Sequence, residues 1–266
     1  MPELPEVETI VQGLNLVLPG LQVSQVQVLR SSVVKTPDLA ARLQGQVFKT
    51  VTRRAKYLLF ELSQGWLLAH LGMSGKFIFE TSPTPVKPHD RVLFELSKGS
   101  RLIFNEIRCF GFLEWLVAPQ ASPRLAKLGP DALRGEQSAQ ALKEQARGVK
   151  RSIKEWLMDQ AVIAGIGNIY ACEILFSAQV LPTRASQGIT LAEWKRILAE
   201  TQRILQLAVQ HNGTSISDYR RVDDKTGEFQ NFLQVYGKEG QPCPRCGKPI
   251  RKIVQGGRGT WFCCKG

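Results

Sequence analysis

The chain has 266 residues, of which 43% are hydrophobic, and its longest apolar runs are far too short to span a bilayer. Its formal net charge of +12 favours a polyanionic partner, usually nucleic acid, over the alternative of a merely solvated basic surface. We therefore predict a soluble globular protein with room for two domains, and we exclude a membrane-spanning or low-complexity chain.

The first predicted element is a helix over residues 5–17, where apolar residues recur near helical spacing. Pro5 suits the first turn of such a helix. Ahead of it stand Pro2 and Glu3, with Glu6 one turn further along, and no signal-peptide pattern accompanies them. A helix cap explains Pro5 but gives no role to Pro2 and Glu3.

Short β-rich runs separated by turn segments such as Ser63-Gln64-Gly65 follow the helix. Eight short strands at this spacing predict an antiparallel sandwich or barrel. The runs cover residues 21–29, 47–54, 56–62, 66–71, 76–80, 91–96, 101–104 and 112–117.

Helical patterns come next, after a loop with two prolines. They predict helices over residues 136–147, 151–160, 169–178 and 190–211. Gly165 and Gly167 interrupt the pattern before the third helix, and Asn168 is a suitable N-cap for it. In a strongly basic chain, this turn favours binding of a DNA phosphate over an ordinary helix junction. Residues 212–230 form a polar stretch without periodicity.

Four of the six cysteines lie in the last 24 residues. Cys243 and Cys246 have the spacing that lets two thiolates bind one tetrahedral metal, and Cys263 follows at an ordinary zinc-ribbon distance. We predict one structural Zn²⁺ held by these three residues. Cys264 is available as the fourth ligand, although adjacent cysteines do not readily face one metal. A redox pair is the alternative interpretation.

The segment between these cysteines predicts a β-hairpin. Residues 250–254 are typical of a strand, and a glycine-rich tip then presents Arg258. A basic hairpin braced by zinc can offer an arginine to a phosphate or a DNA groove. The alternative is a small structural cap.

Five stretches stand out together: MPELPE at the start, RRAKYLLFEL at 53–62, HLGMSG at 70–75, AGIGNIYACE at 164–173, and Cys-x-x-Cys with GRGT near the end. In this order they resemble the formamidopyrimidine-DNA glycosylase family, bacterial enzymes that remove oxidised purines. The resemblance runs essentially end to end. Leu4 favours this family over the related endonuclease VIII family, which usually has glycine at that position.

The resemblance implies an α+β multidomain fold with three parts. These are an N-terminal helix plus antiparallel β-sandwich over 1–130, a helix–two-turn–helix DNA-binding domain over 131–235, and a zinc-finger β-hairpin module over 236–266. It also implies a monomer that binds damaged double-stranded DNA in the bacterial cytoplasm, at the nucleoid, without a membrane or a small-molecule cofactor. The damaged nucleotide must be flipped out, because its glycosidic carbon is inaccessible in the stack.

The implied chemistry begins at the N-terminus. After removal of Met1, the secondary amine of Pro2 attacks the sugar C1′ and forms an iminium. Glu3 is the general acid, Glu6 is a supporting carboxylate, and Lys56 contacts the lesion and a flanking phosphate. The implied enzyme is bifunctional, a DNA glycosylase and an abasic-site lyase that acts by β,δ-elimination.

Further residues match contacts to DNA. His89 matches a phosphate-contacting histidine, and Lys154 matches a lysine that handles the oxidised base. They join Asn168 and Arg258, which the turn and the hairpin already suggest as DNA-binding residues. Residues 214–230 match a mobile loop that closes over the flipped base, and their polar composition suits such a lid.

Three residues match the side chains that fill the gap left by the flipped base: Met73, Arg108 and Phe110. An apolar wedge replaces the lost stacking, while the arginine donates hydrogen bonds to the orphaned partner base. Ile107 stands where the family has proline and Cys109 where it has a cation, and both departures alter this loop.

Two other functions stay open on the sequence. One is an endonuclease VIII-like glycosylase for oxidised pyrimidines, and the other is a catalytically inactive protein that binds damaged DNA. The presence of Pro2, Glu3 and Lys56 argues against the inactive protein.

Overall fold

The computed structural model describes residues 1–214 and 227–264. The chain divides into two compact units. Unit 1 comprises Met1–Ala126 and His211–Gln230, and unit 2 comprises Lys127–Gln210 and Asn231–Gly266. Across the described ranges, none of the helices has both the length and the apolar surface that crossing a bilayer requires.

Unit 1 is built on a β-sandwich. Its strands are β1 (Val23–Val28), β2 (Phe48–Arg54), β3 (Tyr57–Leu62), β4 (Trp66–His70), β5 (Lys76–Glu80), β6 (Asp90–Leu96), β7 (Arg101–Asn105) and β8 (Phe112–Leu116). They form two antiparallel four-stranded sheets, with the orders β1-β6-β7-β5 and β2-β3-β4-β8. The predicted sandwich and its eight strands are confirmed.

The core of unit 1 lies between these sheets. The ring centroid of Phe60 on β3 is 5.2 Å from that of Phe77 on β5, which is 5.2 Å from that of Phe104 on β7. All three rings are fully buried. Because β3 belongs to one sheet, and β5 and β7 belong to the other, these aromatic contacts join the two sheets.

The helix predicted over residues 5–17 is confirmed as α1 (Leu4–Val17). Asn15 attaches it to β2, because its side-chain amide donates to the Val51 carbonyl at 2.7 Å and its side-chain oxygen accepts from the Val51 amide at 2.8 Å. Two short helices that the sequence did not predict complete the unit: α2 (Leu39–Leu43) and α3 (Pro123–Ala126).

The described part of unit 2 is largely helical. It contains α4 (Ala139–Gln145), α5 (Ile153–Leu157), α6 (Asn168–Ser177) and α7 (Leu191–Gln210). All four predicted helices are therefore present. The first two begin later than predicted, because Ser138 and Ser152 each accept a hydrogen bond from the amide three residues on and so act as N-caps.

The turn before α6 is confirmed, but the predicted role of Asn168 as an N-cap is wrong. Gly167 occupies the N-cap position, and Asn168 is the first residue of the helix. The side-chain amide of Asn168 instead donates to the carbonyl of Gly259 at 3.0 Å. Gly165 permits the turn, since its φ of +113° is one that residues with a side chain rarely adopt.

Unit 2 also contains the predicted β-hairpin, formed by β9 (Arg251–Gln255) and β10 (Arg258–Phe262). Arg258 pairs with Gln255, so the connection consists of two glycines alone. Their φ angles of +53° and +72° suit the turn type that matches the twist of a hairpin. Arg258 is exposed directly after this turn, as predicted.

Candidate functional site

The start of α1 buries the three N-terminal candidates of unit 1. Pro2 is buried, and Glu3 and Glu6 are only 3% and 2% exposed. The backbone amide of Glu3 donates to the Glu6 carboxylate at 2.8 Å. This bond fixes the backbone just before the helix, so Pro2 and the carboxylates of Glu3 and Glu6 have defined positions.

The second oxygen of the Glu6 carboxylate accepts a hydrogen bond from the amide of Thr214 at 2.7 Å. Gly213 lies directly against Glu6, since a Cβ at this glycine would come within 2.9 Å of that same oxygen. Glu6 therefore joins the N-terminus to the beginning of the predicted lid. Residues 215–226 of that lid lie outside the described residues.

Lys56 occupies the tight turn between β2 and β3 and is buried. The turn depends on Ala55, which has a φ of +53° and whose carbonyl accepts from the Arg53 guanidinium at 3.0 Å. Arg53 also donates to Glu8 of α1 at 2.6 Å. The helix that carries Glu3 and Glu6 thus also fixes the turn that carries Lys56.

His70 was not predicted as a site residue, although it stands in the HLGMSG stretch. It lies opposite Tyr57 in the sheet. Burial, together with the positive charges of Lys56 and Arg124, lowers the pKa of His70 to about 4. The Gly72 amide donates to His70 Nδ1 at 3.1 Å, which requires an unprotonated nitrogen. The imidazole next to Lys56 is therefore neutral at pH 7.

The three gap-filling candidates come together at one rim of unit 1. Met73, Arg108 and Phe110 are all exposed, and the guanidinium of Arg108 lies 4.9 Å from the centroid of the Phe110 ring. Between those two, Cys109 has a left-handed φ of +55°. Exposed apolar side chains on two adjacent loops form a surface suited to insertion between bases.

His89, predicted to contact a phosphate, is exposed and has a φ of +72°. A guanidinium nitrogen of Arg91 lies 3.2 Å from its Nδ1. This pairing orients the imidazole and adds a cation beside it.

The candidates of unit 2 meet at the hairpin. Lys154 is fully buried, and its ammonium donates to Thr260 Oγ1 at 2.7 Å and to the Gly259 carbonyl at 3.2 Å. Asn168 donates to the same carbonyl, and its side-chain oxygen has no hydrogen-bond partner within the described ranges. Lys154 therefore supports the strand that begins with Arg258 and does not lie at the surface.

Three of the predicted zinc ligands converge. The sulfur atoms of Cys243, Cys246 and Cys263 all lie within 4.8 Å of one another. Burial alone would raise the pKa of Cys243, but hydrogen bonds from backbone amides and from the neighbouring thiols lower it overall. Three converging thiols, of which Cys243 favours the thiolate form, fit Zn²⁺. Cys264 is not part of this group among the described cysteines.

The zinc-binding segment is attached to α6. The Arg245 guanidinium lies 3.9 Å from the centroid of Phe176 and donates to that residue's carbonyl at 2.6 Å. The buried carboxylate of Glu173 accepts hydrogen bonds from three consecutive amides, those of Gln234, Val235 and Tyr236, at 2.8 to 3.0 Å. Burial raises the pKa of Glu173, while these amide bonds oppose that rise.

Sequence models of three known domains match the chain in order. The formamidopyrimidine-DNA glycosylase N-terminal domain matches residues 1–113, and the formamidopyrimidine-DNA glycosylase H2TH domain matches residues 128–220. A zinc finger found in FPG and IleRS matches residues 240–263. Together these matches span most of the chain.

Whole proteins are similar as well. A formamidopyrimidine-DNA glycosylase of Yersinia pestis is 42% identical over 265 residues, covering 99% of this chain and 98% of that protein. One from Streptococcus pyogenes is 40% identical over 269 residues, covering 100% and 98% respectively.

Solved structures of Lactococcus lactis Fpg share the fold. The complex with DNA containing an abasic site has a TM-score of 0.92 and 33% sequence identity, over 98% of each chain. The wild-type complex with DNA containing N7-benzyl-Fapy-dG has a TM-score of 0.92 and 34% identity, again over 98% of each chain.

Proposed function

The chain belongs to the formamidopyrimidine-DNA glycosylase family, and we propose that it is a DNA repair enzyme that excises oxidised purines from duplex DNA. Its substrates would be 8-oxoguanine and formamidopyrimidines. The observation that carries this proposal is the burial of Pro2 with Glu3 and Glu6 at the start of α1. The similar Lactococcus lactis complexes, which contain abasic-site or Fapy-dG-type DNA, support the substrate class.

In the proposed reaction, the nucleophile is the secondary amine of Pro2, which is free once Met1 has been removed. Its lone pair forms a bond to C1′ as the bond from C1′ to the damaged base breaks, and the amine releases its proton to solvent. Glu3 supplies the proton needed at the ring oxygen or the departing base. Opening of the sugar ring then gives an iminium that keeps a positive charge.

We propose that the same iminium provides the lyase activity. Its positive charge acidifies the C2′ proton, and removal of that proton expels the 3′ phosphate by β-elimination. A second elimination expels the 5′ phosphate by δ-elimination. Water then hydrolyses the carbon–nitrogen bond and restores the amine of Pro2.

The proposed DNA contacts come from both units. Lys56 and His89 of unit 1 bind the lesion and backbone phosphates, and Asn168 and Arg258 of unit 2 bind phosphates. Lys154 acts through the hairpin, because its buried ammonium holds the strand behind Arg258. Met73, Arg108 and Phe110 fill the gap left by the flipped base, and the neutral His70 adds a hydrogen-bond donor beside Lys56.

Cys243, Cys246 and Cys263 would hold the Zn²⁺, whereas the sulfur of Cys264 lies outside their converging group. The ion would stabilise the hairpin when bound.

We further propose that residues 1–130, 131–235 and 236–266 are three functional parts. The protein would act as a monomer in the cytoplasm of a bacterium, associated with the nucleoid. The bacterial relatives support that setting.

The test is reductive trapping. Borohydride should reduce the iminium and link the protein covalently to DNA that contains 8-oxoguanine opposite cytosine. Pro2→Gly should reduce trapping sharply, because it removes the secondary amine. Glu3→Gln should reduce base removal more than DNA binding. The matched control is Pro5→Gly, since Pro5 lies within α1 and its nitrogen is an amide.

Absence of a trapped product from folded protein with a free Pro2 amine would contradict the proposal and favour a binding protein without catalysis. A strong preference for thymine glycol over 8-oxoguanine would instead favour an endonuclease VIII-like enzyme.

A further inference from the structure

We propose that Glu106 is a positioning residue that joins the loops of residues 71–75 and 107–111 to the His89 turn, so that they meet DNA as one rigid wedge. This inference rests on the proposed function, because it concerns how the base-replacing side chains are held. Glu106 itself is 0% exposed and contacts no DNA in this role.

The carboxylate of Glu106 binds both loops at once. One oxygen accepts from the Ser74 hydroxyl at 2.5 Å and from the Arg108 amide at 3.1 Å. The other oxygen accepts from the Gly111 amide at 3.3 Å. Ser74 stands next to Met73, and the other two residues flank the loop that carries Phe110. A single buried carboxylate therefore fixes the backbone beside all three gap-filling side chains.

The backbone of Glu106 binds the third segment. Its amide donates to the His89 carbonyl at 2.9 Å, and its own carbonyl accepts from Arg91 Nε at 2.6 Å. The Arg91 guanidinium also donates to the Ile107 carbonyl at 3.2 Å. The turn that presents His89 is thus tied to the same residue as the wedge loops.

The two wedge loops also touch backbone to backbone. Gly72 has a φ of +59°, and a Cβ there would lie 2.4 Å from the Gly111 amide nitrogen. A Cβ at Gly111 would in turn lie 2.7 Å from the His70 carbonyl. Side chains are excluded from this contact, so the loops lie close enough for one carboxylate to reach both.

The chemistry of the site requires a carboxylate of this length. Its three hydrogen-bond partners, Ser74, Arg108 and Gly111, are all donors, and an ionised acceptor forms stronger bonds than a neutral one. Glutamine would turn an NH₂ group toward at least one of these donors. Aspartate keeps the charge but is one methylene shorter. Residue 107 is isoleucine, whose φ is not fixed by a ring, so the loop relies on these bonds for its conformation.

Rigidity matters because the wedge offsets the cost of unstacking a paired base. Phe110 is 59% exposed and Met73 also faces solvent, so neither side chain is held by a core of its own. Flexible loops would lose conformational entropy on insertion, and this loss would subtract from the energy available for base flipping.

The experiment compares two single-turnover rates for each variant. One is excision of 8-oxoguanine paired with cytosine, and the other is cleavage at a preformed abasic site opposite cytosine, which requires no paired base to be evicted. Glu106→Gln should lower the first rate on the order of tenfold or more, and the second by less than about threefold. Glu106→Asp should recover part of the first rate.

The control is Glu80→Gln, which removes a carboxylate that also holds a loop, through Thr84, at the opposite end of β5. It should leave both rates unchanged. Equal losses in both rates for Glu106→Gln, or no loss, would overturn the inference. If Glu106→Gln does not fold, Ser74→Ala is tested in its place. It should lower the rate of 8-oxoguanine excision more than the rate of abasic-site cleavage. Wild-type protein that acts on neither substrate would refute the proposed function instead.

Discussion

In unit 1, a charged side chain, Lys56, lies close to a neutral one, His70. Lys56 lies in the turn between β2 and β3, and His70 ends β4 opposite Tyr57, the residue that follows Lys56. The positive charge of Lys56 contributes to the low pKa of His70. A second cation there would repel the first and would also lose the hydrogen bond from Gly72. The fold therefore keeps Lys56 as the cation and His70 as a neutral donor and acceptor.

This arrangement predicts a pH dependence of stability. The unfolded chain protonates His70 near its usual pKa of 6.5, whereas the folded protein resists protonation until about pH 4. Folding stability is therefore unaffected above pH 6.5, falls as the pH drops from 6.5 to 4, and changes no further below that. The full loss is at most about 3 kcal/mol.

The measurement is urea unfolding of wild type and His70→Gln between pH 7 and pH 4. The free energy of unfolding of the wild type should fall relative to that of the variant over this window. Parallel profiles would show that His70 is not protonated on unfolding, contrary to this account.

At the scale of elements, the hairpin is held from two helices. Lys154 of α5 and Asn168 of α6 both bind the carbonyl of Gly259, directly after Arg258. Gly259 itself must be small, since a Cβ there would come within 2.7 Å of the Trp261 ring. The position of the exposed arginine thus depends on helices that are far away in sequence.

Lys154 and Thr260 should show coupled effects on DNA affinity. Thr260→Val leaves the buried ammonium short of an acceptor, and Lys154→Met leaves the hydroxyl without its donor. Each single change should weaken binding to DNA on the order of tenfold. The double variant should bind better than Thr260→Val alone, because the ammonium and the hydroxyl that bind each other are then both removed.

Fluorescence anisotropy with DNA that contains a stable abasic-site analogue measures these affinities. Additive losses in the double variant would indicate that Lys154 contacts DNA independently of the hairpin. Thr183→Ala, at an exposed position of the same unit, serves as the control and should leave the affinity unchanged.

At the scale of the whole molecule, two units divide the proposed work. Unit 1 contains Pro2, the proposed nucleophile, and the proposed wedge, and unit 2 contains the hairpin and the three converging cysteines. The net charge of +12 favours DNA for the chain as a whole, since counterion release depends on the number of phosphates neutralised. Because these features lie in different units, disordering the hairpin of unit 2 should leave the folding of unit 1 measurable.

Zinc removal should separate these functions. Metal binding and folding are linked in small zinc modules, so chelation should disorder the hairpin and reduce DNA affinity. Trp261 reports on this change, because its ring centroid lies 4.4 Å from that of Tyr236. Unit 1 should keep its own unfolding transition.

Elemental analysis should find about one zinc per chain, the stoichiometry of a single tetrahedral thiolate site. Cys243→Ser should lose the metal, whereas Cys264→Ser should retain it, since its sulfur lies outside the converging group. Loss of zinc in Cys264→Ser would instead make Cys264 the fourth ligand.

The sequence by itself determined most of the elements, and through the family resemblance it supplied most of the candidate site residues. Short β-rich runs separated by turn segments predicted all eight strands, because such runs at this spacing are typical of an antiparallel sandwich or barrel. Helical spacing located α1 and the four helices of unit 2, and the Cys-x-x-Cys spacing predicted the convergence of Cys243 with Cys246. Each of these signals is local, so a short stretch of chain contains it.

Only the tertiary structure decided what several polar residues do. Lys154 is indistinguishable in sequence from a surface lysine, yet its partner Thr260 lies 106 residues away. Asn168 satisfies the rules for an N-cap but binds the hairpin instead, and Glu106 gains its role from Ser74, 32 residues earlier. The reason is physical: a buried polar group must find a partner, and the fold, not the neighbouring sequence, brings that partner within hydrogen-bond distance.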